Sequence, residues 1–187
     1  YLLLVANFVM FVFELSNGEA FIFEWSFVPA RFTADPVGQL PSLFTSMFMH
    51  AGWLHILGNM LYLWIFGDNI EDRLGHFRFL AFYLICGLLA TFAHMVFNLG
   101  SEIPSLGASG AIAGVLGAYM VMFPGARVRV LFGLLVIPLP AIIVIGFWII
   151  IQIFYGVGSL GSTAEAQVAY MAHIGGFFAG LILAMVF

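Results

Sequence analysis

The sequence predicts an all-α membrane protein, a single domain over residues 1–187 built as a bundle of six transmembrane helices. Three observations predict it. The 187 residues are 64% hydrophobic and only 7% charged, whereas soluble domains carry roughly 45–50% apolar and about 25% charged residues. The apolar residues fall into runs of the length a spanning helix needs, about 20 residues with a range of about 17–25. No charged or polar linker divides the chain.

Taken in order, Tyr1 to Phe13 forms a first helix. The chain opens inside an apolar run, with neither an initiator Met nor a basic leader, which reads as a trimmed start rather than a signal peptide. Glu14 to Ser46, with Glu19, Glu24, Arg31, Asp35 and three prolines, reads as a long connection. The second helix runs from Trp53 to about Ile70 and the third from Phe77 to Phe97. A short fourth helix runs from Ser109 to Phe123. Residues 124–140 hold Arg127, Arg129, Pro138 and Pro140; prolines so close together disrupt a helix interior. The fifth helix therefore starts near Pro140 and ends near Tyr155. Residues 156–167, with Gly156, Gly158 and Gly161, read as a Gly/Ser loop suited to capping a site. The sixth helix runs from about Val168 to Phe187.

Charge sets the orientation. Lysine is absent, and four of the five arginines fall in two connections: Arg73 and Arg78 between the second and third helices, Arg127 and Arg129 between the fourth and fifth. With six spans these connections share one side, which the positive-inside rule makes cytoplasmic. The scattered arginines form no basic patch for nucleic acid. One cysteine, Cys86, excludes an internal disulfide and reads as a packed small hydrophobe.

Polar groups are costly in lipid, so those inside the spans mark candidate sites. The second, fourth and sixth helices all enter from the outer side. His55 lies near the start of the second, Asn59 one turn deeper, and Ser109 opens the fourth. His173 lies about 8 Å below the start of the sixth at 1.5 Å per residue. Four polar groups thus fall at similar depth in the outer half of the membrane. A serine beside a histidine makes a nucleophile and its base. Side-chain donors at i and i+4, as in His55 and Asn59, suit an oxyanion hole. Gly110 and Gly114 on one helix, and Gly176 and Gly180 on the other, form small stripes that let backbones approach. Each feature also has a plainer reading: Ser109 as a helix cap, the others as interhelical hydrogen bonds. A zinc site is disfavoured, because no HExxH occurs and no carboxylate or cysteine stands at ligand spacing with the histidines. No metal or cofactor is expected. His50 reads as ordering the loop before the second helix, and His94 as facing an interface. Glu71 and Arg73 read as a cytoplasmic anchor in which Arg73 pairs with Glu71 or with backbone carbonyls. Trp148 and Gln152 share a face of the fifth helix and are assigned to packing.

Four motifs in order resemble the rhomboid family of intramembrane serine proteases. They are His50-Ala51-Gly52-Trp53-Leu54-His55-Ile56-Leu57-Gly58-Asn59, Glu71-Asp72-Arg73-Leu74-Gly75, Gly107-Ala108-Ser109-Gly110-Ala111-Ile112-Ala113-Gly114 and Ala172-His173-Ile174-Gly175-Gly176. The resemblance spans roughly residues 40–187 and implies a six-helix, rhomboid-like core. It also implies Ser109 as nucleophile, His173 as general base, and an oxyanion held by His55, Asn59 and the backbone N–H of Ser109. His50, Glu71, Arg73, Gly107, Gly110 and Gly176 enter as structural members of the motifs. Two departures stand out. Pro41-Ser42 occupies roughly the place where many members have Trp-Arg, so the loop after the first helix is anchored differently. Ala113 stands where some members put an aromatic under the histidine ring, so another group has to orient His173.

The expected function is hydrolysis of transmembrane protein substrates by a Ser-His dyad, with the lipid bilayer and single-span membrane proteins as partners. The fifth helix serves as a lateral gate. A compact core without evident extra domains fits a bacterial-type inner membrane, with the site toward the outer face. The competing readings are a non-catalytic membrane adaptor on the same scaffold, or a small transporter.

Overall fold

The computed structural model describes residues 1–160 and 168–187 and shows a mostly helical bundle. Helix α1 spans Leu2–Trp25, longer than the apolar run suggests. Ser16 Oγ and Asn17 Nδ2 donate back to Val12 O and Phe13 O at 2.8 Å each, so these polar residues continue the helix instead of ending it. Gly18, at φ 75° and ψ −169°, breaks the helical path inside α1; only glycine takes that conformation cheaply. Part of the expected connection is therefore helical. Helix α2, Pro29–Ala34, opens with a proline at its first turn, where a missing N–H costs nothing. A single turn, α3, follows at Ser42–Thr45.

Arg31 is the anchor of this region. Its Nη2 donates to Phe23 O at 2.7 Å and Ser26 O at 2.9 Å, and its guanidinium lies 4.5 Å from the Phe23 ring centroid. A cation at the last carbonyls of a helix is favourable. Phe27 and Ser105 exchange backbone hydrogen bonds, tying this segment to the loop before α7.

Helices α4 (Trp53–Tyr62) and α5 (Asp68–Leu74) form one rod through a π-turn at Leu63–Gly67. Helix α6 spans His76–Phe97, α7 Ser109–Met122, α8 Ala141–Ser159 and α9 Tyr170–Leu183. Three helices, α1, α6 and α8, are each long and apolar enough to cross a membrane, and α7 and α9 are shorter apolar helices. Every residue of α7 from Gly110 to Tyr119 is buried; a helix apolar all round belongs in the centre of a bundle.

Two segments differ from the sequence reading. Residues 124–140 contain an antiparallel hairpin, β1 (Arg127–Phe132) and β2 (Leu135–Pro140), closed by Gly133-Leu134. Gly133 at φ 61° supplies the first turn residue of a two-residue hairpin. Pro138 is compatible with an isolated ribbon because proline tolerates a strand edge. In addition, Gly156 and Gly158 belong to α8, not to a loop. Gly156 is buried where a Cβ would stand 3.2 Å from Tyr170 Cβ and 2.9 Å from Ile174 Cδ1, so close packing on α9 prolongs the helix. The rest of the expected Gly/Ser cap, including Gly161, falls outside the described residues.

Helices α7 and α9 meet backbone to backbone. A Cβ at Gly176 would run into the Gly110 carbonyl oxygen, and one at Gly180 into that of Gly114. At the same seam α6 closes in: a Cβ at Gly110 would stand 2.7 Å from Ala90 Cβ and one at Gly114 2.5 Å from Cys86 Cβ, both on α6.

Candidate active site

Ser109 is the first residue of α7 and is half-buried. Gly107, at φ 131°, turns the chain into the helix, and its N–H donates to Ser46 O at 2.8 Å. The contact between Gly110, next to Ser109, and Gly176, one turn from His173, sets the spacing of α7 and α9 beside the polar groups. As a result His173 Nε2 lies 2.8 Å from Ser109 Oγ. The other ring nitrogen, Nδ1, lies 2.7 Å from Gln152 Oε1 on α8. The Trp148 ring, one turn earlier on α8, sits 5.8 Å from the His173 ring, tilted by 37°.

Gln152 and Trp148, assigned to packing from sequence, both stand beside His173. The sequence signal is that Gln152 is an amide in an otherwise apolar helix. Ala113 is fully buried in α7.

His55 comes from the first turn of α4. Its Nδ1 accepts the Ala51 N–H at 3.3 Å. A neutral imidazole that accepts at Nδ1 carries its proton on Nε2. That edge faces Gly107: a Cβ there would stand 2.9 Å from His55 Cε1 and Nε2 and 3.6 Å from Ser109 Oγ. The absent side chain at Gly107 is what lets the His55 edge approach the serine. Asn59, one turn further along α4, is buried, and its Nδ2 has no hydrogen-bond partner among the described residues. The Ser109 N–H opens a helix, where the first N–H groups have no intrahelical acceptor. Beside Ser109 lies a cavity of about 30 Å³, lined in part by Ser46, Thr91, Ser105 and Gly107. That is room for a water molecule.

His50 is buried in the loop before α4. Its N–H donates to both carboxylate oxygens of Glu14, at 3.2 and 3.0 Å, and its Nδ1 bonds Phe48 O at 3.2 Å. Burial, and then the neighbouring His55 ring, push the His50 imidazole down to about 4. Glu14, read from sequence as the start of an outer connection, is instead buried within α1. His94 is half-buried at the end of α6, with Asn98 Nδ2 donating to its carbonyl at 2.8 Å.

Glu71 and Arg73 lie on α5, at the far end of the α4–α5 rod from His55. The expected Arg73 pairing is not what forms. Glu71 Oε1 bonds His76 Nδ1 at 2.7 Å, while Arg73 is exposed and makes no ion pair among the described residues. The turn at Gly75, φ 80°, folds His76 back against the last turn of α5 and gives Glu71 a nearer partner. Among the described residues no group of three or more His, Cys, Asp or Glu side chains is disposed to hold a metal ion.

The Rhomboid domain family matches residues 37–187. The chain is 33% identical over 153 residues to Rhomboid protein 1, mitochondrial, of Saccharomyces cerevisiae, covering 79% of this chain and 42% of that protein. It is 37% identical over 105 residues to the presenilin-associated rhomboid-like protein, mitochondrial, of Bos taurus, covering 54% and 28%. It is 32% identical over 145 residues to RHOMBOID-like protein 1 of Arabidopsis thaliana, covering 78% and 34%. The chain thus spans less than half the length of these relatives. Two of the three are mitochondrial proteins, so the expectation of a bacterial-type inner membrane is not borne out. The family match over most of the chain shows that this protein belongs to the rhomboid family.

Proposed function

We propose that the chain is an intramembrane serine endopeptidase. The observation that carries this reading is the 2.8 Å contact between Ser109 Oγ and His173 Nε2, within a mostly apolar bundle. A hydroxyl and an imidazole at that distance are poised for proton transfer.

In the proposed reaction Oγ attacks the scissile carbonyl carbon while His173 Nε2 takes the hydroxyl proton. The carbonyl oxygen becomes an oxyanion. It accepts hydrogen bonds from His55 Nε2–H, Asn59 Nδ2–H and the Ser109 N–H. Collapse breaks the peptide C–N bond, and His173 returns its proton to the leaving amine. Water, activated by the same imidazole, then attacks the ester carbon and releases Ser109. Nothing in this sequence of steps calls for a metal or cofactor.

The proposed substrates are single-span membrane proteins. Their helix has to unwind locally for the backbone to reach Ser109, which small or helix-weakening residues make easier. Arg73 in the last turn of α5, Arg78 in the first turn of α6, and Arg127 and Arg129 in β1 mark the proposed cytoplasmic side, and the proposed site opens toward the opposite face. The test is cleavage of a single-span reporter by the purified chain in liposomes. The reading expects cleavage by wild type and none by Ser109→Ala or His173→Ala at equal expression. A folded wild type inert to every reporter favours the adaptor reading.

A further inference from the structure

We infer that Gln152 is the positioning residue for the general base: its side-chain oxygen fixes the tautomer and the ring plane of His173. This rests on the proposed protease reading of Ser109 and His173. Gln152 is only 7% exposed and sits among isoleucines in α8. A buried amide in such a helix is costly unless it is hydrogen-bonded. Its Oε1 lies 2.7 Å from His173 Nδ1.

The chemistry follows from what each atom is able to do. An amide oxygen only accepts, so the Nδ1 it faces carries the proton. A neutral ring protonated at Nδ1 presents a lone pair at Nε2, the atom 2.8 Å from Ser109 Oγ. The opposite tautomer would point an N–H at the serine and could not take its proton. Three helices therefore supply one line of hydrogen bonds: Ser109 from α7, His173 from α9 and Gln152 from α8.

Ala113, which stands where the family resemblance puts an aromatic under the ring, is too small to do the same work. Trp148, on the same face of α8 as Gln152, limits the swing of the ring from 5.8 Å away. Gln152 bears no charge, so it orients the base without adding a carboxylate to an apolar site. When His173 becomes an imidazolium, the Nδ1–H to Oε1 bond becomes charge-assisted and strengthens. A contact that strengthens on the way to the transition state acts on kcat and leaves KM little changed.

The experiment uses the full chain and the variants Gln152→Leu, Gln152→Glu and Gln152→Asn, each checked for native helicity and thermal unfolding. Leu removes the acceptor. Glu keeps an oxygen at the same reach in either protonation state. Asn withdraws it by one methylene. General base catalysis contributes about 10²–10⁴-fold, and losing its orientation is expected to cost Gln152→Leu about 10- to 100-fold in kcat with KM within about twofold. Gln152→Asn is expected to follow Leu, and Gln152→Glu to stay within about threefold of wild type. ¹⁵N-histidine spectra, with the His173 signal identified by its loss in His173→Ala, are expected to show the Nδ1–H tautomer in wild type and not in Gln152→Leu. The inference is overturned if folded Gln152→Leu keeps wild-type kcat, if Glu rescues no better than Leu, or if the tautomer is the same in wild type and Leu. A wild type that cleaves nothing defeats the protease reading instead, and the tautomer comparison then decides alone whether Gln152 sets the ring.

Discussion

Glu14 and His50 are 36 residues apart in sequence, and the backbone N–H of His50 points at both oxygens of the Glu14 carboxylate. The bond joins α1 to the loop that feeds α4. Two residues further along that loop the chain enters the helix carrying His55, whose ring is itself held by the Ala51 N–H. The acidic side chain in α1 thus steadies the entry to the helix that carries His55 and Asn59. Replacing Glu14 by Leu leaves a buried N–H without a partner, at a cost of about 1–3 kcal/mol. Glu14→Leu is expected to unfold at a clearly lower temperature in detergent, while Glu14→Gln, which keeps an acceptor oxygen, loses less than half as much.

His50 gives a pH dependence of stability. Its folded value of about 4 lies below the ordinary 6.5. The fold therefore favours the neutral ring, and the unfolded chain binds the proton more readily. This contribution is fully present above about pH 6.5 and is lost as pH falls toward 4. Thermal unfolding followed between pH 8 and pH 4 is expected to show a decline below pH 6.5. The decline should be shallower in His50→Asn, which retains a donor for Phe48 O.

In the proposed reaction the two donors on α4, His55 and Asn59, act on turnover. Removing one such donor typically costs about 10²–10³ in kcat. His55→Ala and Asn59→Ala are each expected to fall in that range, with KM little changed and folding retained. A pure packing role for either residue would show instead as lower stability with kcat preserved in the folded fraction.

The spacing of α7 and α9 is set by glycines. In Gly176→Ala the new Cβ meets the Gly110 carbonyl, so α9 has to shift away from α7. Overpacking of this kind costs about 1–3 kcal/mol, and the same shift opens the Ser109–His173 contact. Gly176→Ala is expected to lower both the unfolding temperature and the rate of cleavage. Gly146→Ala in α8, where a Cβ would meet nothing within 4 Å, serves as the control and should lower neither.

Much of the site was readable from the chain because membrane helices expose polar exceptions. Ser109, His173, His55 and Asn59 stand out against apolar surroundings, and helix counting puts them at one depth. Gln152 stands out in the same way, but no arithmetic of depth links an amide on the fifth helix to the histidine on the sixth. Glu14 escapes the sequence for a related reason. A carboxylate after thirteen apolar residues looks like the end of a span, and only the folded loop shows the N–H it receives. The hairpin at Arg127–Pro140 was hidden by its prolines, which exclude a helix interior but not the edge of a two-stranded ribbon. Arg73 lost its expected partner to a turn at Gly75 that sequence spacing alone does not describe.

In the proposed chemistry the imidazole of His173 activates the Ser109 hydroxyl. The decisive experiment is reaction of the folded protein with a fluorophosphonate, read by mass spectrometry of the modified residue. A single adduct on Ser109 is expected in wild type, with the rate reduced by at least about 10²-fold in His173→Ala. A folded wild type that takes up no label, or a His173→Ala variant labelled on Ser109 as fast as wild type, would overturn that activation.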